Sequence, residues 1–446
     1  MRLPRYPAYR DSGTAWLGRV PAHWAPNKLK YVATFSGGGT PNRDVPAYWN
    51  GDIPWVSPKD MKAESIQGAE ECITAVGLSN STANLIEPGH VLMVVRSGIL
   101  KHTIPVAINH VPVALNQDMK AISMDRAKCE PTFFARWVQG LNDDLLLAWA
   151  KQGATVESIE QAYLADTPLP LPPIAEQRDI CRFLDHETAK IDGLIAEQEK
   201  LIALLAEKRQ ATISHAVTRG LNPQAPMKDS GVPWLGEVPA HWGVTRLKYA
   251  ADAVVDCPHE TPTYADDGAY RVIRTADVSE GRLHVEAMFA VAEHEFRQRI
   301  RRMSLEKGDV VYGREGERWG FAAQVPESDV FCLGQRMMQF RAAACMHARF
   351  LMWQLNAQST YRQGQVDTVG ATSPHVNVST IKNYALSEPP VGEQIEISSF
   401  LDAETVKLDR LDSEAQRTIL LLRERRSALI AAAVTGQIDV RGFTAA

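Results

Sequence analysis

The chain has 446 residues, 45% of them hydrophobic, which suits two to four folded domains rather than one core. No apolar run reaches the roughly 20 residues that a membrane span needs, and the six cysteines form no Cys-x-x-Cys pair, which argues against a structural zinc site and a disulfide framework. The net charge of −5 excludes a uniformly basic nucleic-acid-binding surface, although basic residues can still gather on one face. The N-terminus lacks the apolar core of a signal peptide, so we expect a cytoplasmic protein without a membrane partner.

The chain contains an internal duplication. The segment RDSGTAWLGRVPAHW at residues 10–24 returns as KDSGVPWLGEVPAHW at 228–242, displaced by 218 residues. A second block, with Glu176-Gln177 and Phe183-Leu184-Asp185, returns 217 residues later at 393–394 and 400–402. The stretches of about 140 residues between these blocks differ nearly everywhere. The sequence therefore predicts two variable modules held in a repeated frame.

The local patterns predict an α+β protein with two mixed α/β modules. Gly- and Pro-punctuated β runs occur at 30–35, 91–96 and 119–124 in the first module and at 270–274, 309–312 and 336–340 in the second. A helix closes each module, and Pro131 is well placed to start the first one. In chain order we predict an N-terminal frame segment (1–31), a first recognition module (32–172), a central long helix (173–220), a linker with a second frame segment (221–249), a second recognition module (250–389), a C-terminal long helix (390–438) and a tail (439–446).

The two long helices carry one apolar stripe each, at three- and four-residue spacing. At 1.5 Å per residue each helix is about 60 Å long, and a lone helix of that length cannot bury its stripe. We therefore predict an antiparallel coiled coil with a pseudo-twofold relation between the halves. The alternative is that each helix packs separately onto its own module. The predicted coiled-coil positions are Leu184, Ile191, Ile195, Ile202, Leu205, Leu401, Leu408, Leu411, Leu422 and Leu429.

Three motifs recur in the same order in both halves. They are Asp-Ser-Gly-x-x-Trp-Leu-Gly-x-Val-Pro-x-His-Trp from Asp11 and Asp229, Pro-Pro-x-x-Glu-Gln from Pro172 and Pro389, and Phe-Leu-Asp-x-Glu-Thr from Phe183 and Phe400. In this order the frame resembles the specificity subunit of type I restriction-modification enzymes. The resemblance implies two target recognition domains that each read one half of a split site in double-stranded DNA. It also implies that the paired helices set the spacing and dock two methyltransferase (modification) subunits for adenine methylation, and that restriction/translocase subunits can join.

Aligned residues of the two modules are candidate DNA contacts. At the 218-residue offset, Arg96-Ser97-Gly98 matches Arg314-Glu315-Gly316, and Asn116-Gln117-Asp118 matches Gly334-Gln335-Arg336. Arg and Gln can hydrogen-bond guanine and adenine edges in the major groove. For the arginines a surface charge or salt bridge is an equal alternative, for the glutamines a strand-end or buried hydrogen bond is favoured, and for the threonines a turn is preferred. The candidates are Arg96, Ser97, Lys101, Gln117, Lys120, Thr155, Arg314, Arg318, Gln335, Arg336 and Thr372.

The sequence carries no catalytic signature. The run Gly37–Pro41 is not followed by Gly-Lys-Ser/Thr, as a phosphate-binding loop requires, and no Gly-x-Gly-x-x-Gly opens a helix. We therefore predict no catalytic residue, no metal and no cofactor, and we expect His23 and His241 to make structural hydrogen bonds. A self-sufficient methyltransferase or nuclease is disfavoured on these grounds. The other rival hypothesis is a coiled-coil scaffold whose tandem modules bind proteins rather than DNA.

Overall fold

The structure is a computed structural model that describes residues 4–151, 153, 155–316, 318–368 and 374–443. Its internal contacts divide the chain into two compact units. Unit 1 comprises Met1–Gln198 and Arg417–Ala446, and unit 2 comprises Glu199–Gln416. No helix in the described part of the chain is long and apolar enough to cross a membrane.

Unit 1 begins with a frame hairpin and continues into the first module. Its strands are β1 (Tyr9–Asp11), β2 (Arg19–Pro21), β3 (Ala33–Gly37), β4 (Trp49–Val56), β5 (Ser65–Ile66), β6 (Cys72–Ile73), β7 (Leu85–Ile86), β8 (Val91–Val94), β9 (Val106–Asn109), β10 (Val113–Leu115) and β11 (Met119–Met124). The α-helices that start in it are α1 (Ala75–Ser79), α2 (Pro131–Gly140), α3 (Asn142–Trp149), α4 (Gln161–Asp166) and the long α5 (Ile174–Arg219). Short 3-10 helices lie at Leu29–Tyr31, Pro46–Tyr48, Pro58–Asp60 and Gly98–Lys101.

Unit 2 follows the same plan. Its strands are β12 (Met227–Asp229), β13 (Glu237–Pro239), β14 (Gly243–Arg246), β15 (Ala251–Asp256), β16 (Tyr270–Ile273), β17 (Val278–Ser279), β18 (Arg282–Leu283), β19 (Ala290–Val291), β20 (Val310–Gly313), β21 (Ala322–Gln324), β22 (Phe331–Leu333), β23 (Met337–Ala342) and β24 (Ala385–Glu388). The α-helices are α6 (Leu247–Ala250), α7 (Glu293–Arg299), α8 (Ala348–Leu355), α9 (Gln358–Val366), α10 (Val378–Lys382) and the long α11 (Val391–Val434), and 3-10 helices lie at Thr275–Asp277 and Val285–Ala287.

The two modules share one sheet topology. The larger sheet has the order β3-β11-β8-β9-β5 in unit 1 and β15-β23-β20-β21 in unit 2. The smaller sheet contains a parallel pair in each case, β4 with β10 and β16 with β22. In both modules three residues, 116–118 or 334–336, lead directly from the smaller sheet to the larger one. We call these three residues the connector.

A helix closes each module and fills its core. Pro131 is the first residue of α2, where its missing N–H leaves no helical hydrogen bond unmade, and Phe133, Phe134 and Trp137 are fully buried. In unit 2, α8 buries Phe350 in the same manner. Burial of each aromatic ring contributes about 1.5–3 kcal/mol. The predicted closing helices are therefore confirmed.

The two long helices run in opposite directions. In unit 1, Asp192 of α5 accepts a hydrogen bond from Arg426 of α11 at 2.9 Å, and the earlier Phe183 contacts Phe443, which lies beyond the end of α11. In unit 2, Arg209, later in α5, is paired with Asp409, earlier in α11. Early parts of one helix thus meet late parts of the other, as expected for the antiparallel pairing that the sequence predicted.

Buried and half-buried residues of both helices form a regular seam with alternating four- and three-residue intervals, which is the spacing of a coiled coil. Its positions are 184, 188, 191, 195, 198, 202, 205, 209, 212 and 216 on α5 and 401, 405, 408, 412, 415, 419, 422, 426, 429 and 433 on α11. The seam thus contains nine of the ten predicted coiled-coil residues. Leu184, Ile191, Leu205, Leu401 and Leu408 are buried, and Ile195, Ile202, Leu422 and Leu429 are half-buried.

The prediction for Leu411 is wrong. Its side chain is 47% exposed, because the seam passes from Leu408 to Asp412 and then to the buried Ala415. Thr405, which occupies another seam position, satisfies its hydroxyl by donating to the carbonyl oxygen of Leu401 at 2.7 Å. A search for large apolar residues overlooks such small and polar seam positions, and chooses a neighbouring leucine instead.

One arginine of the seam links helix and module in each unit. In unit 1, Arg426 donates to Asp192 of α5 and to Glu64 of the module, at 2.9 and 2.8 Å. In unit 2, Arg209, at the position equivalent to Arg426 in the repeat, binds Asp409 and the carboxylate of Glu280. The duplication has therefore preserved a three-member charge network on both sides, although the modules differ.

The charge network of unit 1 makes stability depend on pH. Burial alone would raise the pKa of Glu64, but hydrogen bonds and charges from Arg426 and Arg136 outweigh burial and lower it. A carboxyl whose pKa is lower in the folded chain stabilises fully above its unfolded pKa and loses that contribution as pH falls through the folded pKa. We expect Glu64→Gln to lower the free energy of unfolding by about 1 kcal/mol at pH 7, and the difference to disappear in acid. Denaturant unfolding at several pH values measures this, with the exposed Glu87→Gln as control; a pH-independent difference would contradict it.

Candidate nucleic-acid interface

A single glutamine holds each module to its frame through backbone atoms alone. Gln177 Nε2 donates to the carbonyl oxygens of Lys128 and Pro172, and its Oε1 accepts from the N–H of Glu130, each at 2.8 Å. Gln394 forms the equivalent set in unit 2, with Cys345, Pro389 and His347. Both glutamines are fully buried. Because no module side chain takes part, this clamp tolerates changes of module sequence.

The repeated histidines are structural, as predicted. In unit 1 the Glu176 carboxylate accepts from Trp24 Nε1 at 2.9 Å and pairs with His23 Nε2 at 2.8 Å. It also accepts from the hydroxyl of Tyr6 at 2.7 Å, and burial together with this hydrogen bond strongly raises the pKa of Tyr6. In unit 2, Glu393 binds Trp242 and His241 in the same way.

Strand register shows that one predicted equivalence is wrong. The register pairs are Met119 with Val94 in unit 1 and Met337 with Gly313 in unit 2. The residues that follow β8 and β20 therefore match as Val95 with Arg314 and Arg96 with Glu315, not Arg96 with Arg314. One residue more precedes β20 than precedes β8, and in an extended chain a one-residue shift turns a side chain to the opposite face.

Arg96 and Arg314 consequently have different surroundings. The side chain of Arg96 is 55% exposed, and its Nε donates to Asp118 at 2.7 Å. The side chain of Arg314 is only 7% exposed and forms ion pairs with Asp256 at 3.0 Å and Glu315 at 2.7 Å. Releasing Arg314 would leave buried charge unpaired, which is costly. Arg96 is thus available to a ligand, whereas Arg314 anchors the end of its strand.

Four further candidates of the first module lie near the connector or the module's closing segment. Ser97 caps the 3-10 helix that contains Lys101, and Lys101 is 60% exposed with Glu157 at 3.6 Å. Lys120 is half-buried and bonded to Gln161, and burial lowers its pKa. Thr155 is exposed. Lys101 and Thr155 are thus accessible, while Lys120 is engaged within the module.

In the second module the accessible basic residues are Arg318 and Arg336. Arg318 is exposed and donates to the carbonyl oxygens of Ala276 and Val278, both at 3.3 Å. Arg336, in the connector, is exposed and has a φ of 77°. A non-glycine residue in this left-handed region is strained and persists where its surroundings impose it. Thr372 lies outside the described residues.

The connector glutamines are equivalent, as the sequence predicted, and each binds a threonine that sequence reasoning missed. Thr40 Oγ1 donates to Gln117 Oε1, and Thr261 Oγ1 donates to Gln335 Oε1 at 3.0 Å. Both threonines precede a proline in the loop after the first strand of the larger sheet. The second loop is longer, so a constant offset does not align them. The shared Thr-Pro dipeptide is the signal that could have found them.

Comparison with known proteins agrees with this geometry. Residues 21–202 and 256–419 match the family described as type I restriction modification DNA specificity domain. The chain is 35% identical over 187 residues to the type I restriction enzyme EcoR124I/EcoR124II specificity subunit of Escherichia coli, covering 42% of this chain and 45% of that protein. It is 27% identical over 188 residues to the MjaIX specificity subunit of Methanocaldococcus jannaschii, covering 41% of each. The chain therefore aligns with less than half the length of these curated relatives.

Solved structures share the fold over most of the chain. One belongs to work described as the structural basis of complex assembly and conformational transition of the type I R-M system, with a TM-score of 0.65, 16% identity and coverage of 93% of this chain and 98% of that one. The HsdS subunit from Thermoanaerobacter tengcongensis has a TM-score of 0.51, 16% identity and coverage of 94% and 98%. Since the family match includes both modules and most of both long helices, the chain belongs to the type I restriction-modification DNA specificity family.

Proposed function

We propose that this chain is the DNA-reading, non-catalytic subunit of a cytoplasmic type I restriction-modification complex. Each target recognition domain, 32–172 and 250–389, reads one half of a bipartite site in double-stranded DNA, and the paired helices set the spacing between the halves. The observation that carries the proposal is the duplicated connector, because both modules place an equivalent glutamine where the smaller sheet leads into the larger one.

The exposed side chains around each connector suit base and phosphate contacts. Arg96 is held by a single, largely exposed ion pair, which is worth about 0–1 kcal/mol and is readily exchanged for a guanine edge. Lys101 is a compact charge suited to a phosphate. Arg318 and Arg336 supply positive charge in the second module. These local clusters reconcile DNA binding with the acidic chain, since counterion release depends on local contacts.

The outer faces of the long helices support docking of partner subunits. In unit 1, Leu194, Leu420 and Leu421 are 47%, 61% and 55% exposed, and in unit 2 Leu204 and Val406 are 49% and 67% exposed. Large apolar side chains repeated along a helix face suit a partner helix that covers them. We propose one methyltransferase subunit against each half, with restriction/translocase subunits joining this assembly.

The chemistry then belongs to the partners. A methyltransferase must take adenine out of the stack to reach it, which leaves the choice of site to a reader bound on either side. In this division of labour the present chain binds no S-adenosylmethionine. Its contribution is to hold two readers on one duplex.

Methylation mapping tests the proposal. We expect cells that express this chain with its methyltransferase subunits to carry methylated adenine in a split motif, with two short fixed parts and a spacer of constant length. Omitting this chain should abolish the motif. A continuous motif would contradict bipartite reading, and S-adenosylmethionine binding by the isolated chain would favour a self-sufficient methyltransferase. If DNA retention by the complex were insensitive to salt, the protein-binding scaffold would gain support.

A further inference from the structure

We propose that Thr40 and Thr261 are positioning residues that direct Gln117 and Gln335 toward purine N7 atoms in the two half-sites. The inference rests on the proposed DNA-reading function and names the chemistry of that reading. It identifies two residues for specificity that lie outside the connector itself.

The first support is repetition in modules whose sequences differ nearly everywhere. Both glutamines occupy the middle of the connector, and each accepts from a threonine of the loop after β3 or β15. The loops differ in length, yet both end in Thr-Pro, and proline restricts the backbone immediately after the hydroxyl group. A contact retained across unequal loops indicates a shared requirement.

The second support is that different side chains anchor the same two carbonyl groups. In unit 1, Trp55 Nε1 donates to the carbonyl oxygen of Gly39 at 3.0 Å, and the N–H of Gly39 donates to that of Leu115 at 2.8 Å. Gly39 precedes the threonine and Leu115 precedes the connector. The loop that carries Thr40 is therefore tied directly to the strand that leads into the connector.

Unit 2 reaches the same result with a buried arginine. Arg299 donates to the carbonyl oxygen of Glu260 at 2.7 Å and to that of Leu333 at 3.0 Å. Glu260 precedes Thr261, and Leu333 precedes the connector. Arg299 itself is held by Glu295 at 2.6 Å. The position of threonine relative to glutamine is thus fixed in both modules, although tryptophan does in one what arginine does in the other.

The third support is the chemistry of the amide. A glutamine side chain has one acceptor oxygen and one NH₂ group with two donors. The threonine hydroxyl engages the oxygen, and among the described residues no hydrogen bond from either Nε2 is present. Gln117 is exposed and Gln335 is partly exposed, so the NH₂ group remains for a ligand. The geometry therefore presents a donor whose direction is set.

An outward donor requires an acceptor on the DNA. In the major groove N7 is an acceptor on both adenine and guanine. A neutral donor with a fixed direction suits a single directional acceptor, whereas phosphates are served better by the nearby charged side chains. We therefore assign purine N7 to these glutamines and make a phosphate contact the competing outcome.

Atom-specific DNA analogues test the assignment in the full chain assembled with its methyltransferase subunits. Each purine of the mapped half-sites is replaced in turn by its 7-deaza analogue, and binding is measured. In wild type we expect one replacement in each half-site to weaken binding about threefold to tenfold, as for one lost hydrogen bond. In Gln117→Ala that replacement should have no further effect in the first half-site, while the second half-site keeps its own sensitivity.

The threonine variants test positioning. Thr40→Val, which removes the hydroxyl at nearly constant volume, should reduce the 7-deaza effect in the first half-site only, and Thr40→Ser should restore it. Thr261→Val should act on the second half-site only. The matched control is Thr34→Val, at an exposed position of β3 in the same module, which should bind like wild type.

Two failures are distinguishable. If methylation mapping shows no split motif, the proposed DNA-reading function fails before any analogue is tested. If a split motif exists but Gln117→Ala keeps the wild-type sensitivity at every purine, the N7 assignment is overturned. Equal weakening by Gln117→Ala on every analogue, with no sensitive purine in wild type, would also overturn it, in favour of a phosphate contact. Retained dependence on the second half-site shows in each case that the variant is folded.

Discussion

Replacing residues 32–170 with the corresponding module of another family member is expected to change one half of the recognised DNA sequence and nothing else. The expected effect is complete replacement of that half-site, because all base contacts proposed for it lie inside the exchanged segment. The other half-site and the spacer depend on residues that stay in place.

The structure explains why such an exchange should fold. The frame residue Gln177 binds the module through the backbone of Lys128 and Glu130, so a module with a different sequence but the same chain path satisfies it. The entry and exit are also joined through the backbone, with the N–H of Leu29 donating to the carbonyl oxygen of Thr167 at 2.9 Å. Stability should therefore change little at the junctions.

Methylation mapping of the exchanged chain measures the result. Exchange of residues 250–389 is the matched control and should change the opposite half-site. Alteration of both halves by either exchange would show that the modules do not read independently. Loss of all methylation, with a chain that still unfolds cooperatively, would place partner docking rather than DNA reading in the exchanged segment.

Inserting four residues into both long helices is expected to lengthen the unread spacer by about one or two base pairs. Four residues add roughly 6 Å along a helix, against about 3.4 Å per base pair. The insertions belong at equivalent seam positions, after Gln198 and after Ala415, so that both helices shift together. A four-residue insertion in a heptad pattern is absorbed by local unwinding of the coiled coil.

Insertion into α5 alone is the control. It places seam residues of one helix opposite non-seam residues of the other, so we expect lower stability and weaker methylation without a new defined spacer. The spacer in the mapped motif is the measured quantity. An unchanged spacer in the double insertion would contradict the role of the helices in spacing the half-sites.

Sequence patterns predicted the main elements because those elements depend on local periodicity. Leu184, Ile191 and Leu401 recur at spacings that a helix places on one face, and burial of that face requires a partner of equal length. The duplicated frame likewise predicted the equivalence of Gln177 and Gln394, whose contacts are the same in both units.

Other features depend on small shifts that a constant offset conceals. Arg314 is buried instead of matching Arg96 because one additional residue precedes its strand, and the strand's alternation then reverses the side chain. Leu411 is exposed because Asp412, not the leucine, lies on the seam. Thr40 was considered only as part of a glycine-rich run, so its pairing with Gln117 became visible only in three dimensions.

By itself the sequence determined the duplication, the two modules and the long amphipathic helices, since each leaves a repeated or periodic trace along the chain. Only the tertiary structure decided which polar side chains are exposed at the connectors and which are enclosed in ion pairs. The physical reason is that hydrogen bonding and burial depend on neighbours remote in the chain, such as Trp55 near Gly39 or Arg299 near Glu260. Loops of unequal length bring those neighbours to equivalent places.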